Sequence, residues 1–163
     1  MKQKLTPGVC YLAGLLNKSR NDKNAIGVTT RMHEVEEKLV EIAVNELQIP
    51  PQKILIDEEG EERHVYFYNS RLAKRLLKLI SDEDKVFKVR NEFAASYLAG
   101  MFDAGGGIGR SGMHIGGLTP ADEVMMANLG IHTRGGSIMN LSSFIGLVNG
   151  KSILVGLNAA KYQ

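Results

Sequence analysis

The sequence predicts an α+β fold made of two copies of one unit, in the order helix, strand or strands, helix, hairpin, closing helix. Three observations carry this. The tetrapeptide Tyr-Leu-Ala-Gly occurs twice, as Tyr11-Leu12-Ala13-Gly14 and Tyr97-Leu98-Ala99-Gly100, 86 residues apart. The same offset lays the segment from His33 to Val44 over Thr119 to Gly130, so that Val35, Leu39, Val40 and Ala43 fall on Ala121, Met125, Met126 and Leu129, both sets at helical spacing. Each copy then continues into apolar runs broken by turn residues.

Each tetrapeptide sits in an apolar helix whose small residues, Ala13-Gly14 and Ala99-Gly100, let another backbone come close while Leu12, Leu15, Leu16 and Leu98, Met101, Phe102 supply the knobs. After the second helix of the first copy, Lys53-Ile54-Leu55-Ile56 and Val65-Tyr66-Phe67-Tyr68 read as a hairpin turning through Glu58-Glu59-Gly60-Glu61. The apolar runs that it resembles further on, Ser143 to Val148 with Ser152 to Val155, read as a second hairpin turning through Asn149-Gly150. A closing helix is expected over Asn69 to Ile80. In the second copy only Asn158 to Gln163 is left for it, so that helix is expected to be cut short. These boundaries divide the chain into a first repeat at 1–80, a polar linker at 81–90 and a second repeat at 91–163, together one compact domain.

Composition narrows the function classes. Net charge is +2, and 16 basic and 14 acidic residues lie up to Arg90 against only 4 and 4 beyond it, so no bulk positive field marks the chain as a nucleic-acid binder. The second half holds 14 of the 18 glycines from Gly100 onward, which suggests tight turns in sheet more than long helices. No apolar stretch is long enough to span a membrane and no signal-peptide pattern opens the chain, so a cytoplasmic protein without a membrane partner is expected. Cys10, the sole cysteine, is expected as a buried, inert thiol. The four histidines lack metal-ligand spacing, and Gly105-Gly106-Gly107-Ile108-Gly109 follows a helix and enters a strand, the reverse of a phosphate-binding loop.

The stretches YLAGLLNKS and YLAGMFDAGG resemble the two motifs of the LAGLIDADG homing endonucleases, a resemblance that covers essentially the whole chain. It implies two αββαββα halves related by a pseudo-two-fold axis, with the motif helices packed at that axis and antiparallel sheets forming a saddle over double-stranded DNA. It also implies a monomer with internal pseudo-symmetry and a divalent metal shared by one carboxylate from each motif. Hard oxygen ligands suit such ions, which activate water and neutralise phosphoryl charge. Here Ser19 and Gly105 stand at those two positions, so neither carboxylate is present. No cofactor is expected, and Mg²⁺ only if nuclease activity is retained. Asn17 and Asp103 match the earlier, structural acidic position, so the resemblance gives Asp103 an architectural role. Asp22, three residues beyond Ser19, is the nearest displaced acid.

Alternation along strands selects the residues able to contact DNA. Thr29 and Arg31 share one face, as do His64, Tyr66 and Tyr68, while Arg110 and His114 alternate with Ser111, Met113 and Ile115, and Arg134 and Lys151 lie in turns. The basic helix Arg71 to Ile80 could add phosphate contacts, whereas the acidic run Asp57 to Glu62 would repel them. The expectation is a catalytically inactive or degenerate homing-endonuclease-like DNA-binding protein. A protein-interaction module on the same fold, and a residual metal-dependent endonuclease using Asp22 and Asp103, are the alternatives.

Overall fold

The computed structural model describes residues 4–19 and 24–158. Helix α1 (Pro7–Lys18) starts where the Thr6 side chain accepts from the Val9 N–H, with Pro7 in the first turn. It leads to strand β1 (Ala25–Thr30), helix α2 (His33–Glu41) with a π-helical extension (Ile42–Glu46), strands β2 (Leu55–Glu59) and β3 (Glu62–Tyr68), and helix α3 (Ser70–Ser81), capped by Asn69. A short helix α4 (Glu83–Val86) lies within the stretch that the sequence reads as linker. The second half runs α5 (Glu92–Gly105), β4 (Gly106–Gly109), β5 (Gly112–Ile115), α6 (Pro120–Asn128), β6 (Thr133–Arg134), β7 (Ser137–Ile138), α7 (Leu141–Val148) and α8 (Ile153–Asn158). Helix α6 opens with a capping box between Thr119 and Asp122.

The two sheets are antiparallel, ordered β1-β3-β2 and β4-β5-β7-β6. Strand β4 leaves α5 directly. Shifted back by the 86 residues between the tetrapeptides, it falls on residues 20–23, which lie outside the described residues together with Asp22.

The centre of the molecule is the crossing of α1 and α5. Helix α1 is buried from Val9 to Leu15 and α5 from Ala94 to Asp103, which is why both are apolar all round. Their backbones touch at the glycines. A Cβ on Gly14 would collide with the Tyr97 carbonyl and stand 2.8 Å from the Met101 nitrogen. One on Gly100 would collide with the Tyr11 carbonyl and stand 2.9 Å from the Leu15 nitrogen. The inner faces of the sheets, Ile26, Val28, Val65 and Phe67 on one side and Met113, Ile115 and Ile138 on the other, pack into the same core.

Three expectations are corrected. The segments predicted as the second hairpin, 143–148 and 152–155, are helical and belong to α7 and α8, and Asn149-Gly150 joins two helices. Leu141, Phe144, Ile145 and Val148 stand at i, i+3, i+4 and i+7, and burial of Phe144 and Val148 on that stripe outweighs the β-branched content. The actual hairpin is β6–β7, turning through Gly135 (φ +57°) and Gly136 (φ +86°), both left-handed as a two-residue hairpin turn requires. Gly135 lies 75 residues after Gly60 of the first hairpin, eleven fewer than the 86 residues between the tetrapeptides. The second half therefore has its closing helix, α7, and that helix is not displaced onto 158–163, of which 159–163 lie outside the described residues. The glycine-rich half is also not sheet-dominated, since α5 alone has 14 residues.

Candidate nucleic-acid interface and the ends of the motif helices

Period-two alternation sorts the first sheet into two faces. Facing the core are Ile26, Val28, Val65 and Phe67; facing outward are Thr29, His64, Tyr66 and Tyr68, with Thr29 opposite His64 and Tyr68 opposite Ala25. The outward side chains form a continuous row. Thr29 Oγ1 lies 2.9 Å from His64 Nδ1, the His64 and Tyr66 rings stack at 4.5 Å, and Tyr66 meets Tyr68 edge-on at 5.6 Å. The Tyr66 hydroxyl donates to Asp57 Oδ2 at 2.9 Å, and Tyr68 is 55% exposed.

The flank of this row is acidic. Arg31, just beyond β1, is 3.4 Å from Glu61 and 3.7 Å from Glu62 at the exposed hairpin tip, while Arg63 is 3.2 Å from Glu36 and 3.9 Å from Glu58. Arg31 is thus engaged by the acidic run that the sequence places in opposition to DNA.

The second sheet carries fewer side chains outward. Met113 and Ile115 are buried, and His114 points to the other face, opposite Gly107, with its ring over the bare Gly107 backbone. Ser137 pairs with both His114 and Arg134, which places those two residues on the strands either side of β7. Arg110 is exposed in the turn between β4 and β5. Lys151 stands apart from the others. It lines a cavity of about 300 Å³ beside Pro7, Tyr11, Lys38 and Ser96, near the N-terminal ends of α1 and α5, and its backbone carbonyl accepts from Lys38 Nζ. The strands instead leave from the C-terminal ends of those helices.

At those C-terminal ends lie Ser19 and Gly105. Ser19 leaves the helix with extended backbone (φ −102°, ψ 141°), and its N–H donates to the Leu15 carbonyl at 2.8 Å. Gly105 closes α5, and its carbonyl accepts from the Gly116 N–H at 2.9 Å. Asp103, 7% exposed, has its carboxylate fully engaged. It accepts from the Tyr11 hydroxyl (2.7 Å), the Ser152 hydroxyl (2.6 Å) and the N–H groups of Ile153 (2.9 Å) and Leu154 (3.0 Å), tying the first turn of α8 to α5 and α5 to Tyr11 of α1.

The matching position in α1 anchors a polar cluster that sequence reasoning did not find. Asn17 Nδ2 donates to the Tyr97 hydroxyl (2.9 Å), Asp122 Oδ1 (3.0 Å) and Glu83 Oε2 (3.4 Å), while the Tyr97 hydroxyl donates to Glu83 Oε2 at 2.5 Å. Lys18 Nζ is 2.5 Å from Asp122 Oδ2 and 2.8 Å from the Gly117 carbonyl, and the Lys18 and Asp122 side chains are 4% and 1% exposed. Burial, reinforced by the hydrogen bond to Asp122, pushes the Glu83 carboxyl up to about 8, so it is largely protonated at neutral pH. Burial also acts to raise Asp122, but hydrogen bonds from Glu83, Lys18, the Thr119 backbone and Asn17 outweigh it and bring that carboxyl down to about 2. Burial and the neighbouring acids raise both tyrosines, Tyr11 beside Asp103 and Tyr97 beside Glu83. The only signal available in the sequence was an acid in each helix, Glu83 and Asp122, with nothing to say that they meet. Cys10 is buried and its thiol is pushed up to about 12, mainly by that burial.

These residues do not suit a divalent metal. Among the described residues no three His, Cys, Asp or Glu side chains are grouped to hold one. Neither motif end carries a carboxylate, and Asp103 has no oxygen to spare.

No protein-family model matches the sequence, and no curated protein sequence matches it significantly. Solved structures do share its fold. I-DmoI in complex with DNA and calcium aligns with a TM-score of 0.65 and 17% identity over 96% of this chain and 97% of that one. An I-DmoI variant bound to its target DNA in the presence of manganese aligns at 0.65 with 16% identity over 93% and 98%, and mesophilic variants of the homing endonuclease I-DmoI at 0.64 with 15% identity over 88% and 96%. Over most of its length the chain has the α+β, antiparallel-sheet fold of the homing endonuclease I-DmoI.

Proposed function

We propose that this chain is a double-stranded-DNA-binding protein that does not cleave its target, built as a monomer from two copies of one unit about a pseudo-two-fold axis. The observation that carries the reading is the conjunction of an outward row of Thr29, His64, Tyr66 and Tyr68 on one sheet with Ser19 and Gly105 at the ends of the motif helices. Hydroxyl, imidazole and phenol groups spaced two residues apart on a strand, about 6.8 Å, fall at about every second base pair along a major groove. His114, Arg134 and Arg110 would meet the other half of the site, with phosphate contacts setting register. No step through a metal follows from these residues, and Mg²⁺ would matter only if cleavage were retained.

The test is fluorescence-anisotropy titration against a randomised duplex library, followed by selection, with Mg²⁺ and Mn²⁺ cleavage assays on the selected sites. The expected result is binding that weakens steeply as salt rises and no chelator-sensitive double-strand cut. Specific metal-dependent cleavage would overturn the reading. The acidic tip at Glu58, Glu59, Glu61 and Glu62 favours a second reading, a protein-interaction module on the same sheet; absence of duplex binding even at low salt would select it.

A further inference from the structure

We infer that Lys18 is a built-in cation at the ends of the motif helices: its stem fills the space into which a side chain at position 105 would project, and its ammonium neutralises the buried carboxylate that remains there. This rests on reading Ser19 and Gly105 as the altered motif ends, and it goes further, because it states that restoring the two acids alone does not restore a metal site.

Geometry comes first. A Cβ on Gly105 would lie 2.9 Å from Lys18 Cβ and 3.4 Å from Lys18 Cγ. The obstruction is the root of the side chain, fixed to the backbone of α1, so a rotamer change cannot clear it. The backbone of Gly105 is helical, so the lysine and not the local conformation excludes a side chain at this position.

Charge is the second observation. Lys18 Nζ reaches past Gly105 to Asp122 Oδ2 and the Gly117 carbonyl, and its side chain is 4% exposed. Asp122 is the ionised carboxylate of the cluster, Glu83 is held protonated by burial and by its hydrogen bond to Asp122, and Asn17 contributes only donors, to Glu83, Tyr97 and Asp122. The cluster is therefore neutral with its own cation in place. A divalent ion entering here would face the buried ammonium and find no uncompensated carboxylate.

The experiment counts bound Mn²⁺ by electron paramagnetic resonance in four proteins: wild type, Gly105→Asp, Ser19→Asp/Gly105→Asp, and Ser19→Asp/Gly105→Asp/Lys18→Gly. The double substitution is expected to bind no more Mn²⁺ than wild type, and the triple to gain one ion. The inference is overturned if the double substitution gains the ion with Lys18 in place, or if a folded triple gains none. A stability cycle covers the case in which the triple does not fold. Gly105→Ala is expected to lower Tm by roughly 3 °C or more in wild type and by clearly less in the Lys18→Gly background. Equal losses in both backgrounds would overturn the inference. Failure of the underlying reading looks different: wild type itself would bind Mn²⁺ in this assay and cleave duplex DNA.

Discussion

At the scale of single residues, the two glycines of the tetrapeptides and Asp103 carry the most. Gly14→Ala or Gly100→Ala places a methyl group against a backbone carbonyl of the opposite helix, which only separation of α1 and α5 can relieve. Each substitution is expected to cost about 2–3 kcal/mol, read as a lower urea midpoint at unchanged slope. Asp103→Ala leaves the Tyr11 hydroxyl and the first N–H groups of α8 without their acceptor. A loss of about 3 kcal/mol is expected by the same measurement, with no change in Mn²⁺ binding. Glu83 gives a pH dependence of definite sign. Its folded-state value of about 8 lies above the ordinary 4.5, so the folded chain holds the proton more tightly. That contribution is complete below pH 4.5 and is lost as pH rises to 8, with a slope of at most about 1.4 kcal/mol per pH unit. Asp122 acts at the other end, stabilising above 3.8 and losing that contribution as pH falls toward 2. Thermal melts across pH 5–9 should therefore show wild type weakening from pH 5 up to about 8 and Glu83→Gln weakening less.

At the scale of elements, the β2–β3 hairpin carries opposed features, an aromatic row for contact and an acidic tip that holds Arg31. Converting Glu61 and Glu62 to Gln frees that guanidinium and removes two negative charges. Duplex affinity is expected to rise about tenfold at low salt, with the gap closing as salt is raised. The helices α1, α3, α5 and α6 were legible in the sequence because each pairs an apolar stripe or core with a cap, Thr6, Asn69, Asn91 and Thr119, and α2, which has no side-chain cap, by its stripe of Val35 and Leu39. The first hairpin was legible for a similar reason, strict alternation beside Gly60. Beyond α6 the reading failed, because β6 and β7 have two residues each, too few to show a period, while Asn149-Gly150 imitates a hairpin turn between two short helices. Of the candidate site, the outward row could be read from the strands, and that positions 19 and 105 carry no carboxylate from the sequence itself. The Asn17–Lys18–Glu83–Tyr97–Asp122 cluster could not, since its members come from four elements and meet only in three dimensions.

At the scale of the whole molecule, neither half has an independent centre. The largest fully buried side chains include Tyr11, Leu12 and Leu15 from one motif helix and Tyr97, Leu98 and Phe102 from the other, and each helix covers its partner. Residues 1–90 and 91–163 produced as separate chains are each expected to lack a cooperative thermal transition by circular dichroism, and to regain one when mixed. The polar links across the seam, Tyr11 to Asp103 and Asn17 to Tyr97, make the recovered contact specific to the two partners.

The glycine crossing also sets a length. With backbone against backbone at Gly14 and Gly100, α1 and α5 are already at their closest approach and cannot compress further. Strands β1 and β4, one from each sheet, are the first described strands after those helices, β4 leaving α5 directly. The molecule is in this respect a caliper with a locked jaw. Any partner that engages both faces must match a gap whose width is set by two missing methyl groups. Loop insertions elsewhere would leave that gauge unchanged, whereas a single added carbon at the hinge would reset it.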